Sequence, residues 1–326
     1  MKFKGEVSTK PMHLSISHVT KFRYSAPITE SVMELRMQPL SEGPQRCLKF
    51  DVSLRPSARV SSYRDHLGNS VQHFDIPGRH TQLVITAKSL VESLPREETP
   101  EALGAEAWDE LDALVAEGDY WDMLMPSHFA RPTEALDVFA RELDVRRRED
   151  PLTVLRELNT AIYNAFDYVP QSTSADSPID VALGARKGVC QDYSHILIAL
   201  ARSLRVPCRY VSGYLFHRVE YNDRSAQDAT HAWVEALLPG LGWVGFDPTN
   251  NLLAGERHIR AAVGRDYADV PPTRGVFKGA AESELSVAVQ VKPAGEPDSE
   301  EALRLIAAIS QTPEAEHSAQ QQQQQQ

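Results

Sequence analysis

GVCQDYSHILIALARSLRV, residues 188–206, combines a glycine turn, a cysteine and an apolar helical run. Its apolar spacing predicts a helix that begins at Cys190, directly after Lys187 and Gly188. A cysteine in this position lies at the positive end of the helix dipole, among backbone N–H groups that stabilise a thiolate and can hold an oxyanion. The segment therefore predicts a nucleophilic cysteine at the start of a helix.

Two β-rich segments further along the chain supply a base and a carboxylate to orient it. The segment that begins at His231 and the one that ends at Asp247 are joined by PGLG, residues 239–242, which predicts a β-hairpin. Pairing centred on residue 239 places His231 directly opposite Asp247. Opposed side chains share one face with Cβ atoms about 4.5–5.5 Å apart, so the carboxylate can hold the imidazole. The pattern predicts a Cys190, His231 and Asp247 triad for acyl transfer.

Three further residues are candidates for the oxyanion site or the substrate cleft. Gln191 could add its amide to the oxyanion site, and Trp233 and Trp243, on facing strands, could line the acyl site. Packing in the core is the preferred interpretation of the two tryptophans. Asp192, in the first turn, fits a helix cap, and His195, on another face of the same helix, fits the core.

Several motifs, in order along the chain, resemble the core of bacterial transglutaminase-like proteins: GVCQD, THAWVE, GFDPTN and GRDYADVPPTRGVFKG. The segment from Leu14 to about Val91 resembles the β-domain that precedes that core. The resemblance implies a papain-like fold with a Cys-His-Asp triad, and Cys190, His231 and Asp247 occupy the matching positions. Proteases, transglutaminases and amidases of this family share the triad, so the chemistry is better defined than the substrate.

Two loops qualify this resemblance. The family pattern leads us to expect glycine after Tyr168-Val169-Pro170, where this chain has Gln171. The later loop around Arg265, Asp266 and Tyr267 clusters charged and aromatic residues after the triad. These residues either take part in function or brace the core against the β-domain, and the sequence favours neither.

The predicted fold class is α+β, with four segments. Alternating apolar and polar residues broken by proline and glycine predict a β-sandwich-like domain over 12–95, with a hairpin turn at residues 65–69. Helix formers over 96–150 predict a helical connector. Residues 151–295, opened by a helix at Pro151, form the predicted papain-like transglutaminase core, with the nucleophile helix packed on an antiparallel sheet. Residues 296–326, which end in seven glutamines, are predicted to be a disordered tail.

Composition limits the classes of partner, the location and the cofactors that we expect for this protein. The net charge of −11 disfavours nucleic acid and anionic membranes as partners. No apolar run fits a signal peptide or a spanning helix, so we expect a cytoplasmic protein. Three widely spaced cysteines suggest neither disulfides nor a zinc site, and no loop has calcium-ligand spacing, so we expect no metal and no cofactor. The sequence carries no signal for an oligomeric state.

These observations predict a cysteine-dependent hydrolase that acts on a protein or peptide amide through a thioester acyl-enzyme. Hydrolysis is preferred because water is always present, whereas transfer requires a dedicated amine site. A transglutaminase is the close alternative. A non-catalytic scaffold that binds a protein partner is a third, but it would have no need for all three triad residues.

Overall fold

The computed structural model describes residues 10–96 and 98–295, together with Arg304 and Ala307. Apart from these last two residues, the predicted tail lies outside the described part of the chain. The strands are β1 (Met12–Leu35), β2 (Gln45–Arg55), β3 (Ser61–Arg64), β4 (Ser70–Ser93), β5 (Asp167–Tyr168), β6 (Lys187–Gly188), β7 (Cys208–Leu215), β8 (His231–Leu238), β9 (Gly242–Asp247), β10 (Leu252–Leu253), β11 (His258–Gly264), β12 (Thr273–Lys278) and β13 (Ser283–Pro293). The helices are α1 (Ala107–Glu117), α2 (Trp121–Leu124), α3 (Glu134–Glu142), α4 (Pro151–Ala165), α5 (Ile179–Ala185) and α6 (Cys190–Ser203). The α+β class is confirmed, with antiparallel pairing in both large sheets.

The N-terminal sheet is built on two strands of 24 residues, β1 and β4, which pair antiparallel. Register shifts between Arg23 and Glu30 divide the pair into two halves. β13 and β2 flank one half, while β12 and β3 flank the other. Side chains from both halves, including Leu35, Phe74 and Leu83, share one buried cluster, which gives a sandwich-like core. The segment 151–295 therefore contributes strands to both large sheets, because β12 and β13 pair with β1.

The predicted hairpin turn between β3 and β4 is confirmed. The Gly68 N–H donates to the Asp65 carbonyl at 3.0 Å, and Gly68 has a φ of +84°, which favours glycine. The Asn69 side chain then makes two 2.8 Å hydrogen bonds to the backbone of Val263, one to the carbonyl and one from the N–H. The turn thereby joins the N-terminal sheet to β11.

The helices follow the apolar spacing of the sequence. α1 and α3 occupy the predicted connector, and α4 begins at Pro151 as predicted, with Asp150 accepting hydrogen bonds from the N–H groups of Leu152 and Thr153. Residues 192–202 of α6 are all buried. No helix in the described ranges is long and apolar enough to cross a bilayer.

The second large sheet has the strand order β10-β9-β8-β7-β11. One face packs on α6 through side chains that include Ala232, Val234 and Phe246. On the opposite face, Trp233 packs with Leu40 from the segment between β1 and β2. The sheet thus lies between α6 and the N-terminal domain.

Candidate active site

Cys190 is the first residue of α6, where the chain turns from extended backbone into the helix. Val189, just before it, has φ −120° and ψ 178°, and its N–H donates to Asp192 Oδ2 at 2.8 Å. Thr173 Oγ1 donates to the same oxygen at 2.6 Å. A Cβ at Gly188 would lie 3.0 Å from this carboxylate, so a larger residue there would have to displace the carboxylate slightly. The predicted capping role of Asp192 is confirmed.

His231 and Asp247 lie at neighbouring ends of two paired strands. His231 is the first residue of β8, Asp247 is the last of β9, and both are buried. His231 Nε2 lies 2.8 Å from Asp247 Oδ2. The predicted register is wrong by two residues: Glu235 pairs with Gly245, so the hairpin is centred on residue 240 and not 239. His231 therefore reaches Asp247 diagonally.

The turn between β8 and β9 explains why the predicted register is wrong. The size of the error also explains why His231 and Asp247 still meet. The Leu241 N–H donates to the Leu238 carbonyl at 3.2 Å, with Pro239 and Gly240 at the central positions. Gly240 has a φ of +69°, as a type II turn requires, and Gly242 has the same φ. A shift of two residues keeps every side chain on its face of the sheet, and diagonal neighbours remain within reach of long side chains.

The carboxylate of Asp247 is held by hydrogen bonds on both oxygens. Oδ1 accepts from the backbone N–H groups of Thr249 and Asn250, at 3.0 and 3.2 Å. Oδ2 accepts from the Asn250 side-chain amide at 2.8 Å and from His258 Nε2 at 3.1 Å, in addition to His231. Burial would raise the pKa of Asp247, but the charge of His231 and the hydrogen bonds from both histidines hold it well below its usual range.

His258, the first residue of β11, is a site residue that the sequence did not predict. The Gly255 N–H donates to His258 Nδ1 at 3.2 Å, which requires the ring proton on Nε2, where it donates to Asp247. Burial lowers the pKa of His258, so the ring is neutral at pH 7. Only its place at the start of an apolar run marked it in the sequence.

The side chain of Cys190 lies beside His231. The Nε2 of His231 is engaged by Asp247, and Nδ1 makes no other hydrogen bond to any residue the structure describes, which leaves Nδ1 for the thiol. Burial would lower the pKa of His231, but the charge of Asp247, the hydrogen bond to it and the neighbouring Cys190 raise that pKa to about 10. The arrangement favours an imidazolium at neutral pH, and an imidazolium stabilises a thiolate next to it.

His231, Asp247 and His258 also form a group of potential metal ligands, with ligand atoms within 4.8 Å of one another. A metal would need a lone pair on each Nε2 atom. Both Nε2 atoms instead point at one carboxylate oxygen, and the Gly255 hydrogen bond leaves the proton of His258 on Nε2. The donor set therefore fits proton transfer better than metal binding.

Tyr168, in β5, is a neighbour of Cys190, and Gln171 lies in the loop that follows β5. Burial, followed by the charged form of Cys190, raises the pKa of Tyr168 to about 12, which marks Tyr168 as a neighbour of the site. Gln171 has a φ of +61°, in the left-handed region that favours glycine. The backbone thus adopts the conformation expected of the family's glycine, with glutamine in that position.

The three candidate cleft residues lie in different elements, Gln191 in α6, Trp233 in β8 and Trp243 in β9. Gln191 donates from Nε2 to the Ala175 carbonyl at 2.9 Å, which ties α6 to the preceding loop. Trp233 is fully buried and stacks on His231, with ring centroids 6.0 Å apart and planes 26° apart. Trp243 lies at the far end of β9, under the guanidinium of Arg209 at 4.5 Å. Of the three, Trp233 is the one that contacts the His231 ring.

The loop after β11 braces the core. Asp266 accepts a hydrogen bond from the Phe129 N–H at 2.7 Å, and the Tyr267 N–H donates to His195 Nε2 at 3.2 Å. His195 is buried and stacks on Phe129, with centroids 5.1 Å apart, and burial lowers its pKa to about 3. These contacts join the loop to α6 and to the connector before α3.

Known proteins resemble this chain over most of its length. The chain matches the bacterial transglutaminase-like N-terminal region over residues 14–92 and the transglutaminase-like superfamily over residues 139–248. An uncharacterized protein of Mycobacterium leprae is 30% identical over 279 residues, which cover 85% of this chain and 98% of that protein.

Two further relatives are more distant. A protein-glutamine gamma-glutamyltransferase of Pseudomonas aeruginosa is 28% identical over 133 residues, 39% of this chain and 20% of that protein. A crystal structure from Cytophaga hutchinsonii, of a protein provisionally assigned as a cysteine protease, has a TM-score of 0.68 and 20% identity. It covers 89% of this chain and 93% of that one, and the likeness supports the fold.

Proposed function

Because the chain belongs to the transglutaminase-like superfamily, as its motifs predict, we propose that it is a cysteine-dependent hydrolase of amide bonds in proteins or peptides. The observation that carries the proposal is the hydrogen bond between His231 and the buried Asp247, with Cys190, at the start of α6, next to the same histidine. A thiolate, a cationic acid and a carboxylate that orients it are the groups that acyl transfer from an amide requires.

The proposed reaction has two halves. In the first, the Cys190 thiolate attacks the amide carbonyl carbon, and His231 gives its proton to the leaving amine, so that a thioester remains on Cys190. In the second, neutral His231 takes a proton from water, the hydroxide attacks the thioester, and the carboxylic acid and the Cys190 thiolate are released, which restores the pair of thiolate and protonated His231. Asp247 holds the imidazole in position through both halves.

The oxyanion that forms in each half needs hydrogen-bond donors. The backbone N–H of Cys190, in the first turn of α6, is the proposed first donor, and the positive end of the helix dipole lies at the same place. Gln191 is a weaker candidate for the second, because its amide already donates to Ala175.

Transfer to an amine is the second candidate function. It is favoured by the partial match to a protein-glutamine gamma-glutamyltransferase of Pseudomonas aeruginosa, which covers 39% of this chain. The two functions share the thioester and differ only in whether water or an amine resolves it.

Mass spectrometry of the trapped acyl group tests the shared step. The chain is incubated with glutamine-containing peptides, quenched in acid and digested, and we expect an acyl adduct on the peptide that contains Cys190. The adduct should be absent in Cys190→Ala and retained in Cys47→Ala, a matched change of a half-buried thiol in the N-terminal sheet. Failure to detect any adduct over a broad peptide set would count against the enzyme.

A second measurement separates hydrolysis from transfer. Ammonia release from the same peptides is compared with incorporation of a labelled primary amine. Ammonia release that is unaffected by the amine, with no incorporation, supports hydrolysis. Incorporation that competes with water would show that the transferase alternative is correct.

A further inference from the structure

A second concave site lies where the N-terminal sheet meets the catalytic sheet. It is a cavity of about 840 Å³ with walls from residues 42–44 before β2, residues 95, 96, 98 and 99 after β4, the β8–β9 turn and residues 253–255. None of the three triad residues lines it. The volume is in the range of small-molecule sites, roughly 300–1,000 Å³.

Three arginines, Arg96, Arg209 and Arg260, line this cavity together with Glu42 and Glu98, and two of the three arginines are paired with Glu42 or with the buried Glu235. Arg209 donates from Nε to Glu235 Oε2 at 2.8 Å, and Glu235 is fully buried behind the wall. Arg260 lies with NH1 3.4 Å from Glu42 Oε2 and 3.7 Å from Glu235 Oε1. In these pairs, the negative charges of Glu42 and Glu235 balance the positive charges of Arg209 and Arg260.

Arg96 is the third arginine, and its charge is not matched in this way. Its NH1 donates to the neutral carbonyl of Ala254 at 3.2 Å, and no carboxylate lies within ion-pair distance of it among residues 10–96 and 98–295. Burial, followed by the charge of Arg260, lowers the pKa of Arg96, and the charge of Glu235 offsets part of this from beyond ion-pair distance. Glu98 lines the cavity but is exposed and forms no ion pair with these arginines in the described structure.

The Nε–H of Arg260 is a second donor without a partner, although the charge of this arginine is paired. Its side chain is only 6% exposed, and its Nε has no hydrogen-bond partner among the residues that the structure describes. A buried donor without a partner is unfavourable, so a ligand oxygen that accepts from it would remove that cost. Trp243 and Leu241 supply an apolar wall beside these donors.

We propose that this cavity binds a small anion whose carboxylate or phosphate oxygens accept hydrogen bonds from Arg96 and Arg260. Planar guanidinium groups suit both kinds of oxygen acceptor, because each presents parallel N–H donors. The site is independent of the triad, so its occupancy does not depend on whether Cys190 is a nucleophile.

Calorimetric titration of the full chain with citrate and, separately, with pyrophosphate tests this at 0.15 M salt and pH 7.5. We expect at least one of the two to bind with a Kd below about 2 mM, which corresponds to roughly −3.7 kcal/mol. Binding of citrate alone assigns carboxylate ligands, and binding of pyrophosphate alone assigns phosphate ligands. The same titration of Cys190→Ala should give the same Kd, which separates this proposal from the proposed enzyme.

Three variants show whether binding uses this cavity. Arg96→Gln removes the charge but keeps donors for the Ala254 carbonyl, and we expect at least fivefold weaker binding. Leu241→Glu introduces a carboxylate at the cavity and should also weaken binding at least fivefold. Leu241 lies in an exposed turn, so this change leaves the core intact. Arg131→Gln, an exposed arginine elsewhere, is the matched control and should not change the Kd. A Kd above about 2 mM for both anions, or less than fivefold weakening in both cavity variants, overturns the proposal.

Discussion

The start of β8 and the start of β11 each place a buried histidine on the same oxygen of Asp247, yet the pKa values of the two rings move in opposite directions. Burial acts to lower both. In His231 the charge of Asp247 and the nearby Cys190 outweigh burial and raise the pKa to about 10. In His258 burial dominates, and the charge of His231 lowers the pKa further.

The difference lies at the second ring nitrogen. In His258 the Gly255 N–H donates to Nδ1, so a proton cannot be added there without losing a hydrogen bond. In His231 no such donor occupies Nδ1 among the described residues, and Cys190 lies beside it. The Asp247 carboxylate can therefore stabilise the protonated ring of His231, which transfers the proton. The His258 ring stays neutral and holds the same carboxylate in place.

The largest effect is expected when the charged ring is removed. Replacing His231 by glutamine should lower the rate at which iodoacetamide labels Cys190 at pH 6 by about 10²-fold, because an ordinary thiol is almost entirely protonated at that pH. The rate is read by mass spectrometry, with Cys47 in the same molecule as an internal reference. His13→Gln, a change of an exposed histidine in β1, is the control variant. Equal rates in His231→Gln and the wild type would contradict the ion pair.

Removing the shared carboxylate should have the next largest effect. Asp247→Asn keeps the size of the side chain but removes its charge, and we expect about a tenfold slower labelling of Cys190 because the pKa of His231 falls. The same variant should lose about 1–3 kcal/mol of unfolding free energy for each hydrogen bond left unmade in this buried site. Urea unfolding measures the stability, and labelling that stays as fast as in the wild type would show that Asp247 does not control His231.

The stability of the protein should also depend on the His231 proton. The folded pKa of about 10 lies above the ordinary value of 6.5, so this contribution is complete below pH 6.5 and is lost as the pH rises toward 10. We expect wild-type unfolding free energy to fall on the order of 1 kcal/mol more than that of His231→Gln between pH 7 and pH 9. Parallel curves in urea at these pH values would remove the basis for a raised pKa.

The smallest effect is expected at the neutral ring. His258→Leu removes a donor to Asp247 and should slow Cys190 labelling about threefold, and it should move the pH midpoint of labelling because the carboxylate is held less firmly. His258→Gln can still donate to Asp247 and should restore most of the rate and the midpoint. If both variants match the wild type in rate and midpoint, His258 has only a packing role, and the comparison of the two rings loses its functional meaning.

Much of the site was predictable because its local parts depend on short stretches of chain. The start of α6 at Cys190 follows from the apolar spacing after residues 187–189, and Asp192 caps that helix as its position in the first turn predicts. The shared face of His231 and Asp247 follows from the two-residue period of strands. That period tolerated a register error of two residues, because an even shift leaves the faces unchanged.

Other parts depend on contacts between distant segments. The second histidine ring that contacts Asp247 comes from β11. This strand pairs with β7, and its residue Val263 hydrogen-bonds to the Asn69 side chain, 194 positions earlier in the chain. The arginine cavity joins residues of the N-terminal sheet to Arg260, whose N–H donates to Gln45 across 215 positions. No local pattern marks either arrangement, since each requires knowing which elements pack together.

By itself, the sequence determined the fold class, the helix that begins at Cys190 and the faces on which His231 and Asp247 lie, because periodicity, capping and strand alternation act over a few residues. The tertiary structure alone decided the return of β12 and β13 to the N-terminal sheet and the convergence of His258 on Asp247. The physical reason is that burial and long-range hydrogen bonds select among arrangements that local preferences leave nearly equal in free energy.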